Sequence, residues 1–172
     1  MVSEFLYERL HHNLRLLKLT TLESILDNHL EIAIKEGRSF IEILDYLVDQ
    51  EIQSKEARSQ ALRMRIACFP FEKHIDDFDF KYQPSIDKAV IKDIASLRFV
   101  RNAENVVFLG PPGVGKTHLA IGLGIEAIKA GFKVYFANAS SLVEKLEMAD
   151  NENKLGNYSA TQPNLFFPSD TS

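Results

Sequence analysis

Residues 105–120, written NVVFLGPPGVGKTHLA, constrain the fold more tightly than any other stretch of this chain. The apolar run Val106 to Leu109 reads as a fully buried strand, bounded by a glycine-rich loop. Gly110, Gly113 and Gly115 punctuate that loop, and Lys116 opens a helix. The spacing is G-x-x-x-x-G-K-[ST], the phosphate-binding loop, set between a strand and a helix as that motif requires. With glycine near about 7% of residues, a chance match to the four fixed positions in a chain this long falls below about one in a hundred.

The chemistry explains the residue types. A triphosphate needs many donors at close range, and a backbone free of Cβ atoms can wrap it tightly, hence the three glycines. The N-terminus of the following helix adds unpaired amides and the positive end of its dipole. Lys116 supplies a mobile charge for the outer phosphates of ATP, and the Thr117 hydroxyl can hold Mg²⁺. The expected nucleotide contacts are therefore Gly110, Pro111, Pro112, Gly113, Val114, Gly115, Lys116, Thr117 and His118.

Upstream, residues 3–67 contain no proline and one glycine. Apolar residues at helical spacing predict one stripe of Leu6, Leu10, Leu14 and Leu17, and a second of Leu22, Leu26, Leu30 and Ala33. Gly37 stands where a C′ glycine ends a helix. Ser39 and Glu42 form a capping box opening a third helix, with Phe40, Leu44, Leu47 and Val48 expected inward. The end of that helix carries Lys55, Arg58, Arg63 and Arg65, with Lys55, Arg58 and Arg65 inside about 80° of arc at 3.6 residues per turn. Two readings stay open for this basic face: a solvated surface, or a contact to a phosphate backbone. His11 and His12 are adjacent, and His29 and His74 stand alone, so the histidines make no metal site and read as surface or packing residues.

From Phe69 to Tyr82 aromatic and acidic residues alternate, which predicts an extended linker whose rings dock on a neighbouring domain. Pro84 and Asp87 then mark the start of a helix with Ile86, Val90, Ile94 and Leu97 inward. After the phosphate loop the helix runs to about Ala130 and stops at Gly131. Gly122 and Gly124 within it suggest close packing against a sheet. Lys133 to Ala137 reads as a second buried strand, and Ser141 with Glu144 as a capping box opening a last helix that fades near Asp150. Residues 156–172 show no period and read as an irregular tail.

A chain of 172 residues accommodates one ordinary domain or two small ones. The formal charge of −4 gives no global signature of nucleic-acid binding, so such a role must rest on a local patch. A single cysteine, Cys68, fits a reducing cytoplasm and reads as a buried, inert thiol. No signal peptide and no long apolar run is present, so neither export nor membrane insertion is expected.

Phe78-Asp79-Phe80, Gln83-Pro84-Ser85-Ile86-Asp87, Leu97-Arg98-Phe99-Val100 and the run from Glu104 to Ala120 together resemble a known family. It is that of the IstB-type transposition helper ATPases of bacterial insertion sequences, AAA+ proteins related to DnaC-type helicase loaders. The resemblance covers roughly residues 4–155. It implies an α/β chain: a helical N-terminal domain (1–69) for DNA or partner contacts, then the first half of a P-loop AAA+ three-layer domain (70–155). It also implies an ATP-binding protein that forms homo-oligomers on DNA and serves the transposase of its own insertion sequence; the chain shows no base-reading pattern, so DNA contact is expected to be sequence-tolerant.

Such a family is expected to continue with a strand ending in Asp-Glu that holds Mg²⁺ through water, and with sensor residues and an arginine finger. None of these is legible here. Leu165-Phe166-Phe167 is interrupted by Pro168, and Asp170 lacks a following glutamate. The resemblance thus implies a C-terminally truncated helper able to bind ATP without efficient hydrolysis, with no catalytic residue assigned. The family's sheet order also leaves Val106–Leu109 without neighbouring strands. Two alternatives stay open: a non-enzymatic fragment that binds DNA or helper subunits, and a helicase loader.

Overall fold

The computed structural model describes residues 2–151 and 164–166. The chain divides into two compact units, Met1–Ser59 and Gln60–Ser172. The division falls inside a helix, ten residues before the expected domain boundary at 69.

The first unit is helical. Helices α1 (Val2–Leu16) and α2 (Thr20–Glu36) are followed by α3 (Phe40–Ile66), whose first part belongs to this unit. Gly37 ends α2 in the left-handed conformation, φ 67°. Its amide donates to Ile34 O at 3.3 Å and that of Arg38 to Ala33 O at 3.0 Å, which satisfies carbonyls the helix leaves open. The capping box at the head of α3 is formed: Ser39 N donates to Glu42 Oε2 at 2.7 Å, and Glu42 N to Ser39 Oγ at 3.3 Å. These bonds from the Ser39 amide and hydroxyl hold the Glu42 carboxyl below its ordinary pKa.

The core of this unit is Leu14, Leu22, Leu26, Ala33, Ile43 and Leu47, with Leu19, Ile25 and Leu30 packed against it. The α2 stripe is as expected, but two other stripes need correction. Of the first stripe Leu14 is buried, while Leu6, Leu10 and Leu17 are exposed. On α3 Phe40, Leu44 and Val48 face solvent, and the buried line is Ile43, Leu47 and Glu51. That line runs at i, i+4, i+8, one step out of phase with the apolar spacing. A buried glutamate on it is why a purely apolar pattern missed the phase.

The second unit contains a 3₁₀ turn (Ile75–Asp77), α4 (Lys88–Ala95), α5 (Arg98–Arg101), α6 (Lys116–Lys129), β1 (Val134–Phe136), α7 (Ala139–Asn151) and β2 (Asn164–Phe166). Asp87 caps α4 by accepting the Ala89 amide at 2.7 Å, so it sits just before the first turn. Ile91 is the buried residue of α4, and Val90, expected inward, is exposed. α7 starts at Ala139, two residues before the Ser141 cap expected for it.

The strands depart most from expectation. Among the described residues the sheet has two strands, with β1 and β2 parallel and Val134, Tyr135 and Phe136 opposite Asn164, Leu165 and Phe166. The described residues are thus mainly helical, and by themselves they do not make up a three-layer α/β arrangement. Part of the 156–172 tail expected to be irregular is a strand. Val106–Leu109 belongs to no strand. Phe108 packs toward Phe78, Ile91 and Leu119, whereas Val107 and Leu109 are 69% and 85% exposed. One face of this segment is therefore inward and the other bare, in place of the fully buried strand that the apolar run predicts.

α6 is the spine of the unit: Leu119, Ala120, Ile121, Leu123, Ile125, Ala127 and Ile128 are all buried. One cluster joins Ala127 and Ile128 to Ala67, Leu97 and Val134, and another joins Leu119 to Phe78 and Ile91. Phe69 and Phe78 pack within these clusters, inside their own unit and not on a neighbouring domain, and the 3₁₀ turn at Ile75–Asp77 interrupts the extended linker expected there. Cys68 is exposed, which corrects the expectation of a buried thiol.

The two glycines inside α6 serve different neighbours. A Cβ at Gly122 would lie 2.8 Å from Ile75 Cγ1 and 3.0 Å from the Ile75 amide nitrogen, so the partner is the 3₁₀ turn and not a sheet. A Cβ at Gly124 would lie 2.7 Å from the tip of the Phe69 ring and 3.4 Å from Val134 Cγ1 of β1. Alanine gains about 1 kcal/mol of helix propensity at either position, set against about 1–3 kcal/mol for overpacking. Backbone yields less readily than a ring tip. Gly122→Ala should therefore destabilise the unit by about 1–2 kcal/mol, and Gly124→Ala by less. Urea unfolding of both variants checks the order, and a more damaging Gly124→Ala would refute it.

Candidate functional site

The loop Gly110–Gly115 closes directly onto the head of α6. Gly113 and Gly115 have φ of 81° and 93°, the left-handed region in which a side chain is strained. Gly115 is the cap residue of α6, and the first helical bond runs from Leu119 N to Gly115 O at 3.0 Å. The amides of Lys116, Thr117 and His118 thus precede the helical ladder and stand at its positive end. Lys116 Nζ donates to Gly110 O at 2.8 Å and to Pro111 O at 3.0 Å, which holds the ammonium over the loop it is expected to serve. Pro111, Pro112 and Gly113 are exposed, and Val114 to His118 are half-buried.

A loop without side chains at its turning points, capped by free amides and a mobile cation, fits a polyphosphate in both shape and charge. Thr117 is the second residue of α6, so its hydroxyl belongs to the helix's first turn beside the loop. Among the described residues no group of three His, Cys, Asp or Glu side chains is arranged to hold a metal ion.

Behind the loop lies a support that spacing did not predict. The Phe78 ring, 8% exposed, occupies the space a Cβ at Gly115 would take: such an atom would overlap Phe78 Cε2 and lie 3.1 Å from Cζ. The same ring meets His118 edge-on at 5.3 Å and Phe80 at 4.9 Å. His118 Nε2 bonds the His74 carbonyl at 2.8 Å. The His118 imidazole is therefore engaged with the 74–78 segment.

Comparison with known proteins connects this geometry to a family. The family model described as IstB-like ATP binding protein matches residues 12–165. The chain belongs to this IstB-like family. The match reaches residue 165, ten residues beyond the resemblance read from the motifs, and so takes in part of the tail.

Three relatives of this chain are named as ATP-binding proteins of insertion sequences. That of IS5376 from Geobacillus stearothermophilus is 43% identical over 86% of this chain and 59% of its own length. That of IS232 from Bacillus thuringiensis subsp. berliner is 42% identical over 87% of this chain and 60% of its own. That of IS21 from Pseudomonas aeruginosa is 41% identical over 81% of this chain and 52% of its own. The chain thus spans between half and three fifths of the length of these relatives. Among the described residues no helix is long and apolar enough to cross a membrane.

The basic residues considered for DNA lie two on each side of the division within α3: Lys55 and Arg58 in the first unit, Arg63 and Arg65 in the second. Lys55 and Arg58 turn out to have an internal partner. Glu51, 3% exposed, places Oε1 at 3.2 Å from Arg58 Nη2 and 3.8 Å from Lys55 Nζ. Its Oε2 accepts the Thr21 and Leu22 amides at 2.8 and 2.9 Å, and Arg58 Nη1 donates to Thr20 Oγ1 at 2.9 Å. Leu19, the residue before α2, has no side-chain acceptor to offer, so Glu51 caps that helix in this IstB-like chain from thirty residues away. Burial alone pushes the Glu51 carboxyl up, but the two amides and two cations outweigh it and leave its pKa below the ordinary value.

Proposed function

We propose that this chain binds ATP with Mg²⁺ through Gly110–Thr117, serves as an ATP-binding helper of DNA transposition, and hydrolyses little by itself. The observation that carries the reading is the junction of loop and helix. Left-handed Gly113 and Gly115 lead into three amides free of the helical ladder, with the Lys116 ammonium held above them. Lys116 would exchange its two carbonyl partners for phosphate oxygens, the amides of Lys116 to His118 would donate to the phosphates, and Thr117 Oγ1 would hold the metal. The bound nucleotide supplies a cleavable phosphoanhydride. Within the 172 residues, however, no apolar run ends in an Asp-Glu pair to polarise water against it.

The transposition role is supported by the relatives, each named for an insertion sequence. The partners that follow are DNA, a transposase and further copies of the helper. Of the four basic residues, Arg63 and Arg65 are the stronger candidates for phosphate contact, since Lys55 and Arg58 already share Glu51.

The test is one set of titrations on the full chain. Saturating ATP with Mg²⁺, at about 100 times Kd, should stabilise the protein by about 2.7 kcal/mol, visible as a raised unfolding temperature. Phosphate release should stay near background, and duplex DNA should be retained at low salt and released as salt rises. Absence of both thermal protection and ATP retention overturns the nucleotide reading. Several turnovers per minute overturn the view of hydrolysis, and salt-independent or absent retention of duplex removes DNA.

A further inference from the structure

Three contacts bolt residues 74–78 to one face of α6, at positions 115, 118 and 122, which are spaced i, i+3, i+7. At the first, the Phe78 ring fills the space beside the left-handed Gly115. At the second, His118 Nε2 bonds the His74 carbonyl at 2.8 Å while its ring meets Phe78 edge-on. At the third, Ile75 lies over Gly122 so closely that a Cβ there would be 3.0 Å from its amide nitrogen. The segment has its own stiffness. His74 N donates to Asp77 Oδ2 at 3.3 Å, and Phe78 N to Ile75 O at 3.1 Å. Phe80 packs edge-on against Phe78, and Lys88 Nζ lies 5.4 Å from the Phe80 ring centre.

We propose that Phe78 is a positioning residue for nucleotide binding: its ring edge, braced by His118 and Phe80, fixes the left-handed turn at Gly115. The inference rests on the ATP-binding reading of the loop. Phe78 reaches no phosphate. It acts through the peptide on either side of Gly115, because a small rotation there re-aims the amides of Lys116 and Thr117 together. A glycine at φ 93° has no side chain to resist that rotation, so the resistance comes from the ring packed against it. A preorganised loop binds more tightly than one that must be ordered by its ligand.

A double-mutant cycle on the full chain tests it, with ATP affinity measured at a temperature where circular dichroism shows each variant folded. Phe78→Leu stays apolar but is shorter and loses the planar edge, and should weaken ATP about tenfold. Gly115→Ala should weaken it about a hundredfold or more, through both the left-handed strain and the overlap with the ring. The double variant should bind about tenfold better than the product of the single losses, because the shorter side chain vacates the space the new methyl needs. If Phe78→Leu does not fold, Phe78→Met, unbranched and flexible, takes its place. A merely core-filling Phe78 would lower stability, leave the affinity of the folded protein at the wild-type value, and give multiplicative losses. Either of the last two results overturns the proposal while the ATP-binding reading stands. If wild-type protein retains no ATP and Lys116→Ala behaves identically, both fall together.

Discussion

Replacing Glu51 with alanine is expected to destabilise the first unit by about 2–4 kcal/mol, with α2 opening first. The carboxylate does two things at once. Through Oε2 it satisfies the Thr21 and Leu22 amides, which no residue before α2 can do. Through Oε1 it neutralises Arg58 and Lys55 at that helix end, where cations are otherwise unfavourable. Removing it leaves two amides short of acceptors at about 1–3 kcal/mol each, reduced to the extent that water can enter. Arg58 and Lys55 are half exposed and can return to solvent at small cost, so the amides dominate the loss. Glu51→Gln separates the terms, since its amide oxygen can still accept but carries no charge. It should lose about 1–2 kcal/mol.

The same carboxylate predicts an acid limit. Its folded pKa lies below its unfolded one, so its contribution is complete above the ordinary glutamate value of about 4.3 and is lost as pH falls through the lower folded value. Urea midpoints measured from pH 7 down to 3 should therefore fall more steeply in the wild type than in Glu51→Gln. Hydrogen exchange at Thr21 and Leu22 should quicken in both variants at neutral pH. Unchanged protection of those two amides in Glu51→Ala would show that the cap contributes nothing.

How far the sequence reached depends on how local each signal is. The loop, the end of α2 at Gly37 and the Ser39–Glu42 box were legible because each is decided by a few adjacent residues with backbone consequences of their own. The phase of α3 was not, because its inward line ends in Glu51, which belongs inside only once α2 presents its amides thirty residues earlier. The support behind the loop was half legible. Ring docking was expected of residues 69–82, but nothing local says that Phe78 stops at Gly115. The apolar run at 106–109 predicted a buried strand because burial on two faces was assumed, and the structure supplies one. A strand is a joint property of a segment and its neighbours, so hydrophobicity alone could not settle it.

Lys116→Ala should leave the stability of the free protein within about 1 kcal/mol of wild type while weakening ATP at least about a hundredfold. The two effects part because the lysine has different partners in each state. In the free protein its ammonium bonds the Gly110 and Pro111 carbonyls, which are exposed and can take water instead, so their net contribution is small. In the proposed ATP complex the same group would meet charged phosphate oxygens, and each charge-assisted bond contributes about 1.5–3 kcal/mol. Lys116→Arg keeps the charge but replaces a compact, rotatable head with a wide planar fork, in a loop narrow enough that the lysine spans it to two adjacent carbonyls. It should recover less than half of the lost binding free energy. Thermal shifts with and without ATP and Mg²⁺ read both quantities in one experiment. A Lys116→Ala protein still protected by ATP to within threefold of the wild-type affinity would mean that the loop amides alone hold the phosphates, and the lysine would lose its assigned part in binding.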